Sequence, residues 1–520
     1  MIYSIANILY LCNRKTTLDM KKIFLIAVSF TVLAAICFTS CVNEEEYTKD
    51  SSVKLQFSAD TVSFDTIFTT IGSVTKQIRV FNPENKAVKL DYITLGSGSR
   101  SYFRLNVDGD TSLTVRNLEI PAKDSVFIFI RTELDINNQS NPLLIEDSII
   151  FAFNTKTQSV LLTAYGQDAY YHKPTHSLML GETMIPYSLV NEGGKEAGVE
   201  LSCNDVSWKT DKPHVIIGTC VVDSAFTLIL SDNTKIYMGN NADFWVYKDG
   251  TLNASGTTSA PVVFQSLRTQ ERYADIPGQW GKIWFWAGSK DNRMENTVVK
   301  NATIGIVVDT SVNDNHTLDI KNTRIENCSS YGLYARGADV YGENILVQNI
   351  GSYAVALTIG GSYEFIGCTF ANYWSYSSAR KDAALLLNDW YEAADGTVQY
   401  RRINKCDFHN TVIYGSLFDN EVELDLSETL NSSYLFDHCL IKSSILNNNG
   451  LNVVSCIFNK DPQFEDVTEG DLHPSESSTL IKSGNGIYNS VVPYDIYGVY
   501  RTDPPCIGAV EYVRKTERTR

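Results

Sequence analysis

Five short segments of this chain share one pattern, an apolar residue, two variable positions and a cysteine. They are Ile325-Glu-Asn-Cys328, Phe365-Ile-Gly-Cys368, Ile403-Asn-Lys-Cys406, Phe436-Asp-His-Cys439 and Val453-Val-Ser-Cys456. Four continue with an apolar residue two positions on: Phe370, Phe408, Ile441 and Phe458. Val299-Lys-Asn-Ala302 and Val347-Gln-Asn-Ile350 fit with the cysteine replaced, and Asn301, Asn327 and Asn349 lie 26 and 22 residues apart. A short strand, a polar corner and another short strand at this period mark a β-solenoid, in which each coil has an apolar inner face that only its neighbours can bury. Coils stack at about 4.8 Å, so equivalent side chains form ladders.

Within such ladders the five cysteines are expected as free thiols in one core column, because a reduced cysteine behaves as a small hydrophobe. The asparagines are expected at corners, where Asn tolerates left-handed backbone. Eleven cysteines fall to eight once Cys12, Cys37 and Cys41 are set aside. An even number in an exported chain suggests disulfides, and the pattern leaves the state of Cys203 and Cys220 open.

The start of the array reads Lys212-Pro-His-Val-Ile-Ile-Gly-Thr-Cys220, Phe226-Thr-Leu-Ile-Leu, Asp249-Gly-Thr-Leu-Asn-Ala, Pro261-Val-Val-Phe-Gln-Ser266 and Pro277-Gly-Gln-Trp-Gly-Lys-Ile-Trp-Phe285. The end reads Asp461-Pro-Gln-Phe, Asp471-Leu-His-Pro and Ile507-Gly-Ala-Val-Glu-Tyr512. These segments resemble secreted right-handed parallel β-helix proteins of the pectate-lyase-like superfamily. The resemblance spans about residues 206–512 and implies a fold, not a chemistry. Trp280, Trp284 and Trp286 are expected to serve coil packing.

Residues 52–170 have another rhythm. Val53-Lys-Leu-Gln-Phe, Lys76-Gln-Ile-Arg-Val-Phe, Val88-Lys-Leu-Asp-Tyr-Ile, Phe103-Arg-Leu-Asn-Val, Ser125-Val-Phe-Ile-Phe-Ile and Ser148-Ile-Ile-Phe-Ala-Phe alternate between turns, which predicts a β-sandwich. Val80-Phe-Asn-Pro and Ile120-Pro-Ala-Lys-Asp-Ser resemble immunoglobulin-like modules of the major-sperm-protein/hydin type. Such a module could act as a spacer or cap an open solenoid end. Residues 171–205 read as a connector. The fold class expected is all-β, an N-terminal β-sandwich followed by a right-handed parallel β-helix over 206–512, with a basic tail at 513–520.

The leader sets the address. Lys21 and Lys22 precede an apolar run from Ile23 to Cys37, a secretory signal over residues 1–40 with Met20 as a candidate start. At about 15 residues the run is short for a bilayer span, which needs roughly 20. Phe38-Thr-Ser-Cys41 resembles the lipobox of bacterial lipoproteins, with Phe38 where Leu is usual. The resemblance implies a lipidated Cys41 opening an acidic tether over 41–51 and an outer-membrane anchor. Asn43-Glu-Glu-Glu46 is similar to export signals that send some lipoproteins to the outer face. Loss of residues 1–40 takes away four cations and one anion and moves the net charge from −16 to −19. A polyanion is repelled by phosphate backbones, so nucleic acid is excluded as a partner. A monomer is expected.

No H-E-x-x-H, G-x-S-x-G, P-loop, G-x-G-x-x-G or C-x-x-C occurs. The most unusual stretch is residues 370–402, where 37 residues separate Cys368 from Cys406 and predict protruding loops. Tyr373, Trp374, Trp390 and Tyr391 are the candidate glycan contacts, since aromatic faces stack on sugar rings. Asp389 with Arg401 or Arg402 is the candidate catalytic set, a base beside a cation that could hold developing charge. Self-packed loops and solvated charges are the plainer alternative for the whole stretch. Asp309-Thr-Ser-Val-Asn-Asp-Asn-His316 has the oxygens to ligate Ca²⁺, but it lacks an EF-hand pattern, and an ordinary polar turn is the favoured reading. No other cofactor or metal site is expected. Three functions follow in order: a surface lipoprotein that presents a rigid solenoid to polysaccharide or another extracellular partner, a polysaccharide lyase or glycoside hydrolase acting on acidic glycans, and a structural envelope component.

Overall fold

The computed structural model describes residues 47–68, 73–132, 143–310 and 316–516. The leader and Cys41 lie outside the described residues. The chain divides into two compact units, a front unit drawn from residues up to Leu162 and a second holding everything from Thr163 onward.

In the front unit, alternation builds two antiparallel sheets of four and five strands. Phe103–Val107 and Lys76–Phe81 pair with the two sides of Ser125–Thr132, and Val88–Leu95 pairs with both Thr114–Ile120 and Leu143–Phe153. Val80, Ile128 and Phe103 from the first sheet and Leu90, Ile149 and Phe151 from the second are buried. Phe57 meets Phe151 with ring centroids 4.9 Å apart, so the two sheets share one core as a sandwich.

The second unit is a parallel β-helix with three faces. From Asp205 onward the chain visits a third, first and second sheet in turn: Asp205–Trp208, His214–Ile216, Thr219–Val222, then Thr227–Leu230, Lys235–Met238 and Asp243–Val246, and so on down the stack. Residues 170–208, most of them expected as a connector, supply the opening strands. Tyr170–His172 starts the first sheet, and antiparallel hairpins at 176–189 and 199–208 start the other two.

The ladders are continuous. On the first sheet Phe264, Val299, Ile325, Val347, Phe370, Ile413 and Ile441 follow one another in register, and all are buried. On the third sheet Phe365, Phe408 and Phe436 stack at 5.4 and 5.0 Å. The corners between the third and first sheets are single left-handed residues, among them Asn296, Asn322, Asn344, Gly367, Asn410 and His438. Asn301, Asn327 and Asn349, at the next corner, also have positive φ (67°, 54° and 55°), as their spacing predicts.

Among the described residues all eight cysteines are free, and all but Cys203 are buried. The five in the repeats do not share one column, however. Cys368, Cys439 and Cys456 each directly follow the left-handed corner residue and share that column with Thr323, Ile345 and Thr411. There the sulfur or hydroxyl accepts a neighbouring coil's N–H: Ile345 N to Cys368 Sγ at 3.4 Å, Cys368 N to Thr411 Oγ1 at 3.4 Å, Cys439 N to Cys456 Sγ at 3.4 Å. Cys328 instead ends a first-sheet strand beside Ile350, and Cys406 sits within the third sheet beside Tyr363. A pattern of four residues cannot tell these registers apart, because every one of them points inward.

The coils end near Phe458. Residues 461–512 turn back and lie along the outer face of the first sheet. Leu472, Ile496, Ala509 and Val510 cover Leu346 and Ala371, and Leu480 and Ile507 cover Val412 and Leu440. The Ile507-Gly-Ala-Val motif therefore forms an outer strap and not a final coil.

Candidate functional site: a cleft beside the strap

The strap covers the outer column Leu346–Thr369–Val412–Leu440 and, in the neighbouring column, Ala371, and leaves Glu326 and Gln348 of that neighbour as the floor of a cleft that Ala371 borders. Its volume is about 280 Å³. One wall is the corner column, where Asn327 Nδ2 donates to Asp275 Oδ1 at 3.1 Å and Asn349 Nδ2 donates to Asn327 Oδ1. Asn349 Oδ1 is buried with no partner. A second wall is the loop with Tyr373, Ser375 and Tyr376; a third is the turn Val467-Thr-Glu-Gly470. Gly470 has φ of +73°, and a Cβ there would meet Gln348 Nε2 at 3.3 Å, so glycine lets the turn come down on the sheet.

Tyr373 packs against Tyr414 and Phe464. Burial, and after it the charge of Asp461, pushes its hydroxyl upward, which keeps it a neutral group at ordinary pH. Tyr376 is exposed and meets Trp374 edge-on at 6.0 Å. Trp374 is buried at 9 % exposure, with Nε1 donating to Ser378 O at 3.2 Å. Of the four expected aromatic contacts, only Tyr373 lines the cleft. Trp390 and Tyr391 lie apart from it on a hairpin, Trp390–Glu392 paired with Val398–Tyr400, which follows the second-sheet strand Leu385–Asn388. Tyr391 is 38 % exposed.

The expected catalytic set does not assemble. Asp389 is fully buried and accepts from Ser427 N at 2.8 Å and Ser432 Oγ at 2.7 Å. It pins the loop at 427–432 and faces no solvent. Arg401 reaches Thr310 Oγ1 at 3.2 Å, Arg402 is exposed, and no ion pair joins either to Asp389 among the described residues. The stretch also buries Arg380, whose guanidinium grips Glu421 at 2.6 and 2.9 Å with both side chains fully enclosed.

Residues 311–315 of the proposed calcium loop lie outside the described residues. At its ends Asp309 receives Arg336 at 2.6 and 2.9 Å, and His316 meets Asp339 at 2.7 Å. Among the described residues no group of three His, Cys, Asp or Glu is placed to hold a metal ion.

Two further surfaces were missed by motif reasoning. Trp280 is core, as expected, but Trp284 and Trp286 stack 4.3 Å apart on the outside of the second sheet, with Trp284 Nε1 held by Asp309 at 2.9 Å. The alternation Ile283-Trp-Phe-Trp286 carries that signal, since Ile283 and Phe285 point in. On the outer third sheet Tyr341, Glu364 and Asp407 are consecutive rungs. Lys405 bridges Glu364 and Asp407 at 2.8 and 3.8 Å. His409 stacks on Tyr488 at 4.4 Å, and Asp437 takes hydrogen bonds from Tyr488 at 2.7 Å and His438 at 2.6 Å. Burial raises the Asp407 carboxyl. Burial also pushes Asp437 upward, but His409, whose Nδ1 stands 3.5 Å away, and the hydrogen bonds from Tyr488 and His438 outweigh it and hold that carboxyl well below the usual range.

No protein-family model matches the chain, and no curated protein matches it in sequence. Among solved structures, a family 123 glycoside hydrolase from Clostridium perfringens matches at 10% identity over 22% of this chain and 27% of its own, with a TM-score of 0.18. A Porphyromonas gingivalis protein of unknown function matches at 12% identity over 23% and 56%, TM-score 0.17. The catalytic unit of an α-1,3-glucanase of family GH87 from Streptomyces thermodiastaticus matches at 10% identity over 74% and 89%, TM-score 0.22. The chain thus spans about a quarter of the length of the first and just over half of the second. Likenesses at this level carry no argument about chemistry.

Proposed function

We propose that this chain is an envelope lipoprotein, anchored through Cys41 in the outer membrane and facing outward, whose β-helix binds polysaccharide in the cleft beside the strap. One observation carries the binding reading. The floor and walls of the cleft combine tyrosine rings with amide, hydroxyl and carboxylate groups, namely Gln348, Asn327, Asn349, Thr468, Glu326 and Glu469. Apolar faces with a few convergent polar groups are what sugar rings require of a pocket. The lipobox-like Cys41, the acidic residues after it and the resemblance to the pectate-lyase-like superfamily support the address and the scaffold. The immunoglobulin-like reading of the front module makes it a spacer. A glycan array probed with residues 42–520 and with Tyr376→Ala tests the binding. Failure of every glycan to bind sinks it, as does a Tyr376→Ala pattern identical to the parent. Cys41→Ser should move the full chain from the membrane pellet to the soluble fraction, and continued sedimentation refutes the anchor.

A second reading, a glycan-cleaving enzyme, is favoured by Asp407 and Asp437, two carboxyls on one sheet face driven in opposite directions, a pattern common at acid–base sites. New reducing ends released from polysaccharides, and lost in Asp407→Asn and Asp437→Asn, would support it; no release across neutral and acidic substrates counts against it.

A further inference from the structure

We propose that the cleft selects saccharides carrying a free amine, a de-N-acetylated hexosamine unit whose ammonium faces the carboxylates of Asp275, Glu326 and Glu469. The inference rests on the reading of the cleft as a glycan site and names its ligand class. The lining contains these three carboxylates and neither lysine nor arginine. Glu326 has a partner in Arg324, which reaches it at 3.5 Å from the adjacent column, and Lys300 stands one rung beyond Glu326 outside the lining. Asp275 and Glu469 have no basic partner among the described residues, and both are exposed to an incoming ligand. A net charge of −16 for the whole chain adds to the field at the cleft mouth. Uronates, sulfates and phosphates are therefore disfavoured, and a cation is attracted.

Charge alone would accept any amine. The rest of the lining argues for a sugar bearing it. Tyr376 offers a ring for stacking, which also suits an ammonium through its π face. Gln348, Asn327, Asn349, Ser375 and Thr468 supply neutral donors and acceptors along the lining, and the buried Asn349 Oδ1 still lacks a donor. At about 280 Å³ the cleft is just under the usual range for small-molecule sites, which leaves room for roughly one or two sugar units.

The test is calorimetric titration of the full-length protein, at about pH 6 and low salt, with a β-1,4-linked glucosamine tetramer, its fully N-acetylated counterpart, a galacturonate tetramer and spermidine. The amine-bearing tetramer is expected to bind about tenfold tighter than the N-acetylated one, and Asp275→Asn combined with Glu469→Gln should abolish that preference while leaving residual sugar binding. Equal affinity for the two hexosamine tetramers overturns the amine assignment and leaves the glycan reading standing. Spermidine binding as tightly as the glucosamine tetramer, or the galacturonate binding best, also overturns it. Absence of binding by every saccharide overturns both readings together.

Discussion

Arg501 Nη2 donates to Asn344 Oδ1 at 2.7 Å across 157 residues of sequence. Asn344 is a left-handed coil corner (φ 50°), and its Nδ2 donates to Asn322 Oδ1 in the coil before and to Tyr494 O in the strap. Arg501 is buried, bonds Gly508 O at 2.9 Å and lies 3.7 Å from Glu511. The strap is thus latched to the ladder of corners at Asn344 through this guanidinium and again at Asn410, whose Nδ2 donates to Asn485 O at 3.0 Å and whose Oδ1 accepts from Asn485 N at 2.7 Å. Arg501→Ala leaves Glu511 and Asp495 buried without their cation, which should cost about 3–5 kcal/mol. Asn344→Ala should cost about 1–3 kcal/mol. Hydrogen exchange should show residues 461–512 losing protection first, ahead of the coils. Uniform loss across the chain would mean that the strap does not open as a unit.

Phe408 sits between Phe365 and Phe436 in the third-sheet stack, fully buried. Phe408→Ala removes both ring contacts and opens a cavity that parallel strands cannot close, because their spacing is fixed by the backbone ladder. A destabilisation of about 3–5 kcal/mol is expected in denaturant unfolding. A value under about 1 kcal/mol would show that the stack repacks.

His172 Nε2 and His214 Nδ1 are 2.9 Å apart, and both rings stack on Trp208 at the opening coil. Burial, the leading cause, lowers both; His214 falls to about 4, and the neighbouring His214 lowers His172 further. The unfolded chain therefore takes up protons near pH 6.5 that the folded chain refuses. Stability is full above that value and is lost as pH falls, by on the order of 3 kcal/mol for His214 alone once pH reaches 4. Trp208 fluorescence followed in denaturant at pH 7 and pH 4.5 measures this. His214→Gln should flatten the dependence, and an unchanged slope would place the acid lability elsewhere.

Burial raises the thiols of Cys220, Cys328, Cys368 and Cys506 to about 12. Cys203 alone among the eight is exposed. In a form starting at Val42, a thiol reagent should label one cysteine in the native state and eight after denaturation, since the thiolate is the reacting species. Rapid native labelling of two or more would show that the coils breathe.

Repetition made the ladders readable from sequence. An inward residue in one coil needs an inward residue in the next, and corners need residues that tolerate positive φ, so Val299, Ile325 and Val347 and the asparagines Asn301, Asn327 and Asn349 announce themselves. Trp284 and Trp286 could have been assigned outward from the same alternation. The strap could not be separated from a last coil, because Ile507-Gly-Ala-Val buries apolar residues whichever side of the sheet it covers.

The amino-acid sequence by itself determined that this chain stacks short parallel strands, because no coil buries its own apolar face. It also determined that cysteine and asparagine recur where coils need a small inward group or a tight corner. Tertiary structure alone decided which part of the outer face stays open. Asp275, Glu326, Tyr376 and Glu469 are spread over nearly 200 residues with no shared motif. They meet only because the strap folds back over one column and leaves Glu326 and Gln348 of the next uncovered, and Asp389 became an anchor only because residues 427–432 closed over it.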